Sequence, residues 1–335
     1  MKNKKGLFIV AALALVLVVV LIGCGTAQTQ TATTPTPAPE TTKAQPVKVA
    51  NIVEDVKNSG HYKFFPNWVK KGQDAVKNEH YGDNCIGCHS AVKIVDDKDA
   101  KFADFLPGGK YAAPGKDEGI TCRVCHNFGG KEMISLKNPG WDACTKCHTG
   151  SGVTLGKAVH HPQKEMFEGP AVGPIPATPS FKYKNMKDSF SCVDCHVTNS
   201  TRHTFEVPGV TITYDPSSNG TVRSATKMDW DVFKKEAFGQ QKCQTCHSTN
   251  VDQVIDNMKK LQEDVEKRMA ALAKVNDEWA KKVSTLDKND PKVKAFNEFT
   301  TYYSFVEADS SKGVHNPPYI KALLEQAEAS AAQLK

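Results

Sequence analysis

Between residues 85 and 247 the chain writes Cys-x-x-Cys-His five times: Cys85-Ile-Gly-Cys88-His89, Cys122-Arg-Val-Cys125-His126, Cys144-Thr-Lys-Cys147-His148, Cys192-Val-Asp-Cys195-His196 and Cys243-Gln-Thr-Cys246-His247. No other feature restricts the fold so tightly. Two thiols at this separation span the two vinyl groups of one haem, and the next residue is held under the iron as its proximal imidazole. Five covalently attached c-type haems are therefore expected, with His89, His126, His148, His196 and His247 as proximal iron ligands. Structural zinc also uses Cys-x-x-Cys pairs, but it needs a second ligand pair at a regular distance and has no use for a histidine after every pair. Disulfides fit no better, because cysteines three apart are poorly placed to bridge.

The motifs consume ten of the eleven cysteines and leave Cys24. Lys2, Lys4 and Lys5 precede an apolar run from Leu7 to Ile22, and Leu21-Ile22-Gly23-Cys24 follows. A basic start and an apolar run read as an export signal over residues 1–23. The tetrapeptide resembles the bacterial lipobox, which implies cleavage before Cys24 and attachment of a diacylglycerol to its sulfur. A retained membrane anchor is the alternative, since the run is near the lower length for crossing a bilayer. Either places the remainder outside the cytoplasmic membrane, where c-type haem is attached. Residues 24–48 then form a Thr, Pro and Ala tether with too few large apolar side chains to fold. In extended polyproline geometry, at roughly 3 Å per residue, it would reach about 70 Å.

The formal net charge of +6 does not signal nucleic acid. Of 43 basic residues three lie in the signal, so 40 face 37 acidic ones. The haem propionates tip the holoprotein to mildly acidic. From His61 to His247 the sequence is rich in Gly, Pro and Lys and poor in periodic apolar runs. It should build no ordinary core, so the porphyrins are expected to be the core of a 49–248 haem domain.

Besides the proximal set there are His61, His80, His160, His161, His203 and His315. Adjacent residues point in different directions, so one of His160 and His161 is expected to ligate, which leaves five distal candidates for five irons. Two imidazoles per iron give a saturated, low-potential site suited to electron transfer. The same count also allows four distal ligands and one free histidine beside an open iron.

After the fifth motif the pattern changes. Val254, Met258, Leu261, Val265, Met269, Leu272, Val275, Trp279, Val283 and Leu286 recur at steps of three and four, which predicts a long amphipathic helix. A break at Asp287 to Pro291 precedes a second helix through about Val306, and Asn316-Pro-Pro opens a third. Residues 249–335 are thus expected to form a bundle of about three helices, its apolar stripe serving as a packing seam or, alternatively, a coiled-coil contact with a second copy. The expected fold is mainly α, with little regular sheet.

His160-His-Pro-Gln-Lys-Glu-Met166, Ser191 to His196, Arg202-His-Thr-Phe205 and Gly313-Val-His-Asn-Pro317 resemble the multihaem cytochromes that include the pentahaem ammonia-forming cytochrome c nitrite reductases and the hydroxylamine oxidoreductase-like proteins. The resemblance spans about residues 61–335 and implies distal-ligand roles for His315 and His203. Three features depart from the reductases. Every motif ends in His, where those enzymes often use lysine at the catalytic haem. The arginines (Arg123, Arg202, Arg223, Arg268) all follow the first motif, and Thr149, Gly150 and Ser151 stand where a pocket tyrosine is expected.

The expected function is electron transfer by a pentahaem cytochrome lipid-anchored to the outer face of the cytoplasmic membrane or to the outer membrane. Its partners would be redox proteins or a quinol-linked donor, with a terminal acceptor outside the cytoplasm. An ammonia-forming nitrite or hydroxylamine reductase is the alternative, followed by a quinol-oxidising subunit or a haem-bearing filament protein. The haem-free chain is expected to leave residues 49–248 unfolded. Limited proteolysis would show this, and a resistant haem-free 49–248 segment would contradict it.

Overall fold

The computed structural model describes residues 49–335 except 80, 114, 116–118, 129–133, 139, 151, 180–190, 198–201, 215–222, 239–246 and 248. The export run, Cys24, the tether, His80, Cys243 and Cys246 lie outside the described residues. Among those described, no helix is long and apolar enough to cross a membrane.

The haem segment is made of short helices joined by long irregular connections. Helices α1 (Val49–Asn58), α2 (Gly60–Lys71) and α3 (Gln73–Glu79) lead to α4 (Asp83–His89), which carries the first motif. The second motif forms α5 (Cys122–Cys125) and runs into a small antiparallel pair, β1 (His126–Phe128) with β2 (Ile134–Leu136), in the register His126 to Leu136. Helix α6 (Gly140–Thr145) opens the third motif, α7 (Gln163–Glu168) follows His160 and His161, and α8 (Val193–His196) holds the fourth. A second hairpin, β3 (Val210–Tyr214) with β4 (Arg223–Met228), and the turn α9 (Trp230–Phe233) complete this half.

An apolar cluster of protein side chains surrounds the first motif, formed by Phe65, Ala75, Tyr81, Ile86, Val92, Ala100, Phe102, Phe105 and Leu106. Nothing in the sequence pattern signalled this local cluster. A few aromatics, such as Phe65 against Phe105 at 4.8 Å, bury enough area each to hold a cluster without periodic aliphatics.

The three predicted C-terminal helices are α10 (Val251–Lys282), α11 (Pro291–Asp309) and α12 (Pro317–Ala332). On α10 the buried residues Val265, Leu272 and Trp279 recur every seven positions and pack inward against α11 and α12. Helix α11 is buried continuously from Thr301 to Val306, which marks it as the central helix. Val159, Met166, Val172 and Ile175 join the same core, so haem-segment residues are packed into the bundle. Arg268 of α10 grips Glu328 of α12 through two hydrogen bonds of 2.7 and 2.8 Å; being partly exposed, the pair contributes at most about 1 kcal/mol.

Asn316 is the stronger tie. Fully buried at the start of α12, it accepts from the backbone N–H of Tyr319 and donates to the carbonyls of Met166 and Thr178. Gly169 permits this approach: at φ +57 its missing Cβ would sit 1.9 Å from the Thr178 oxygen. Replacing Asn316 with Ala strands buried polar groups on both sides. A loss of roughly 2–4 kcal/mol is expected in denaturant unfolding; a loss below 0.5 kcal/mol, on the same scale, would contradict this role.

Candidate haem-ligand site

The four described attachment motifs share one local geometry. In the third and fourth, the backbone N–H of His148 and of His196 donates to the carbonyl of Cys144 and of Cys192, at 3.0 and 2.9 Å. A single helical turn places residues i and i+3 on one face, which presents both thiols together and sets the histidine beside them. The cysteines of the first four motifs are all half-buried free thiols. Their side chains converge across motifs: Cys88 lies beside Cys147, and Cys144 beside Cys192. The third motif therefore lies beside both the first and the fourth.

Partner imidazoles arrive from distant segments. His61 comes from α2, and its Nε2 lies 3.5 Å from Nε2 of His148, with ring centroids 5.8 Å apart. Its backbone is fixed from behind, where its carbonyl accepts from Ile120, and Gly119 must lack a Cβ because one would fall 2.6 Å from that oxygen. His203 stands 6.2 Å from His126, its backbone N–H bound to Asp55 of α1. His315 stands 6.3 Å from His196. Rings paired this closely are the residues that would hold an iron between them.

His160 and His161 differ in exposure. Gly156 and Val159 donate to Thr301 and Ser304 of α11, and this stitching delivers the pair to the site. His160 is exposed, whereas His161, at φ +51, turns inward to lie 6.0 Å from His89 and 5.9 Å from His148. His89 is boxed by aromatic rings, with Trp68 edge-on at 5.2 Å and Tyr81 at 6.1 Å. Tyr81 Oη is buried without a partner in the protein. His247 is half-buried just before α10, while its motif's cysteines and His80 fall outside the described residues.

The electrostatics favour neutral rings. Burial, reinforced by neighbouring His148, His89, His196 and His161, pushes His61 down to about 3. Burial with His160 and His148 pushes His89 to about 4. Burial and His315 lower His196 to about 4, against the opposing carbonyl of Phe205. A neutral imidazole is the form that binds a metal. His315 is the exception: burial would lower it, but the carboxylate of Asp309 outweighs that and raises it.

The second ring nitrogen is often held as well. His148 Nδ1 meets Gln163 Oε1 at 3.3 Å, His196 Nδ1 donates to the Phe205 carbonyl at 2.9 Å, His247 Nδ1 meets Asn250 Oδ1 at 3.3 Å, and His315 Nδ1 meets Asp309 Oδ1 at 2.7 Å. Such outer partners fix the ring and aim the other nitrogen. Sequence reasoning missed all four. Gln163 and Phe205 stood inside the quoted motifs but carried no signal of this role, and Asp309 reads as an ordinary helix-end residue.

Taken together, paired neutral imidazoles, motif thiols at helical spacing and outer-shell acceptors fit c-type haem. No known protein family matches the chain, and no curated protein does. Among solved structures it is similar to the outer cell wall cytochrome OcwA, at 26% identity and a TM-score of 0.55, covering 84% of this chain. The chain spans 50% of that protein's length. Looser likenesses are to an undecahaem cytochrome from the S-layer of Carboxydothermus ferrireducens and to cytochrome c nitrite reductase NrfA from Desulfovibrio desulfuricans. The first has 27% identity and a TM-score of 0.48, covering 80% of this chain and 40% of that one. The second has 14% identity and a TM-score of 0.44, covering 76% and 64%.

Replacing His203 or His315 with Ala is expected to convert one low-spin iron to high-spin in the absorption and magnetic resonance spectra. Unchanged spectra in both variants would remove these residues from the ligand set.

Proposed function

We propose that this chain, which has the fold of a multihaem c-type cytochrome, carries five haems and passes single electrons between redox partners outside the cytoplasm. The observation that supports this most is the meeting of His61 with His148, His203 with His126 and His315 with His196. Saturating each iron with two strong ligands suits electron transfer over substrate binding. Bound c-type haem supplies a one-electron iron couple. Burial keeps His61, His89 and His196 neutral, acceptors on Nδ1 aim His148, His196, His247 and His315, and the motif cysteines would attach the cofactor.

On this reading Cys85/Cys88, Cys122/Cys125, Cys144/Cys147, Cys192/Cys195 and Cys243/Cys246 hold the haems. His61, His203 and His315 are distal ligands, His161 faces His89, and His80 is the remaining candidate for His247. Cys24 carries the lipid, the tether lifts the cytochrome off the membrane, and the likeness to an outer cell wall cytochrome supports a surface location. The donor would be a redox protein or a quinol-linked enzyme, and the acceptor would lie outside the cell membrane. The outer surface of the C-terminal bundle could pair with a second copy.

A second reading, an ammonia-forming nitrite or hydroxylamine reductase, draws on the first motif. There His161 lies near both His89 and His148, and the unpartnered hydroxyl of Tyr81 is buried close by. Electron paramagnetic resonance of the oxidised holoprotein separates the two. Five low-spin irons are expected; a high-spin iron that shifts on adding nitrite or hydroxylamine would make this an enzyme.

A further inference from the structure

Two axial imidazoles from different sites meet at the end of α11 and are held by unlike chemistry. Asp309 closes that helix with its side chain fully buried. One carboxylate oxygen, Oδ2, accepts from the backbone N–H of Ser311 at 3.2 Å and from the Ser311 hydroxyl. The other, Oδ1, is left for Nδ1 of His315 at 2.7 Å. A few ångströms of chain away, Gln163 donates its amide to the carbonyls of Ala308 and Asp309, at 2.8 and 3.4 Å, and turns its oxygen to His148. The fourth-motif site thus faces a carboxylate through His315 and a carbonyl through His196, whereas the third-motif site faces a neutral amide through His148.

A carboxylate in this place is unfavourable for stability alone. It is desolvated, and it sits at a helix C-terminus, where the macrodipole repels negative charge. A neutral asparagine could accept from Ser311 and close the turn without either cost. The turn also aims His315 by force: Ser310, Lys312 and Gly313 all adopt positive φ within four residues. A carboxylate on Nδ1–H draws that proton and raises the electron density at Nε2, which strengthens the ligand toward ferric over ferrous iron.

We propose that Asp309 is a positioning residue that sets the direction of electron flow. Acting through His315, it makes the site attached at Cys192 and Cys195 more reducing than its neighbour attached at Cys144 and Cys147. The inference rests on the multihaem reading above. The two sites are adjacent, since Cys144 lies beside Cys192. A haem held at Cys192 and Cys195 would give up one electron, going from ferrous to ferric, and one held at Cys144 and Cys147 would take it, going from ferric to ferrous. No bond is made or broken. Nδ1 protons stay where Asp309 and Gln163 hold them.

The test is a redox titration of the full-length holoprotein followed by magnetic resonance. Each preparation is first shown by mass to carry five haems, so failure of the multihaem reading is recognised before any midpoint is read. His315→Met identifies the fourth-motif signal by removing it. Asp309→Asn, which keeps an acceptor for His315 and removes the charge, is expected to move that signal's midpoint to more positive potential and to change its g-values while the others hold. Gln163→Glu, which places a carboxylate on His148, is expected to move a different midpoint to more negative potential. Should Asp309→Asn fail to assemble, Ser311→Ala decides: relieved of the Ser311 hydroxyl but keeping the backbone N–H of residue 311, Asp309 is expected to drive the fourth-motif midpoint further negative. Midpoints unmoved in the assembled Asp309 or Ser311 variant, or a wild-type fourth-motif midpoint above that of the third, would overturn the proposal.

Discussion

One turn of helix closing Cys-x-x-Cys-His is the constraint from which the rest of this architecture follows. It settles two thiols and one imidazole within a few residues, and it leaves the opposite face of each site to be supplied from elsewhere. His61 must come from α2 to meet His148, His203 must be held by α1 to meet His126, and His315 must be carried by the turn after α11 to meet His196. Each short motif helix can be irregularly connected because its conformation is locally determined. What must be rigid is the framework that returns the partner rings.

Part of that framework is the C-terminal bundle. Helix α11, buried continuously from Thr301 to Val306, presents Thr301, Ser304 and the last carbonyls of its helix to the segment around His160, His161 and Gln163. Asn316 then locks the start of α12 to the carbonyls of Met166 and Thr178. Hydrogen bonds of this kind contribute only about 1 kcal/mol each in net stability. Leaving such groups unpaired in the interior costs more, so they specify one register of bundle against haem segment. A small shift of α11 would disturb His148 through Gln163 and His315 through Asp309 together.

Much of this could be read in the sequence. The steps of three and four from Val254 to Leu286 gave a helix where α10 stands, and Asn316-Pro-Pro marked the start of α12 because Asn caps and Pro tolerates the first turn. Less legible was the aromatic cluster of Phe65, Tyr81, Phe102 and Phe105, since contacts among a few large rings leave no periodicity. Nor did the sequence separate His160 from His161: the choice follows from the left-handed backbone at His161, which turns one ring inward and leaves the other exposed.

By itself, then, the sequence determined the attachment chemistry, the inventory of histidines and the helical character of the C-terminal third, because each is encoded within a few residues or one helical period. Only the tertiary structure decided which histidines face one another and what holds their second nitrogen. Those contacts join residues far apart along the chain, and a carboxylate such as Asp309 or an amide such as Gln163 acquires its role only when burial removes water and a ring is delivered to it.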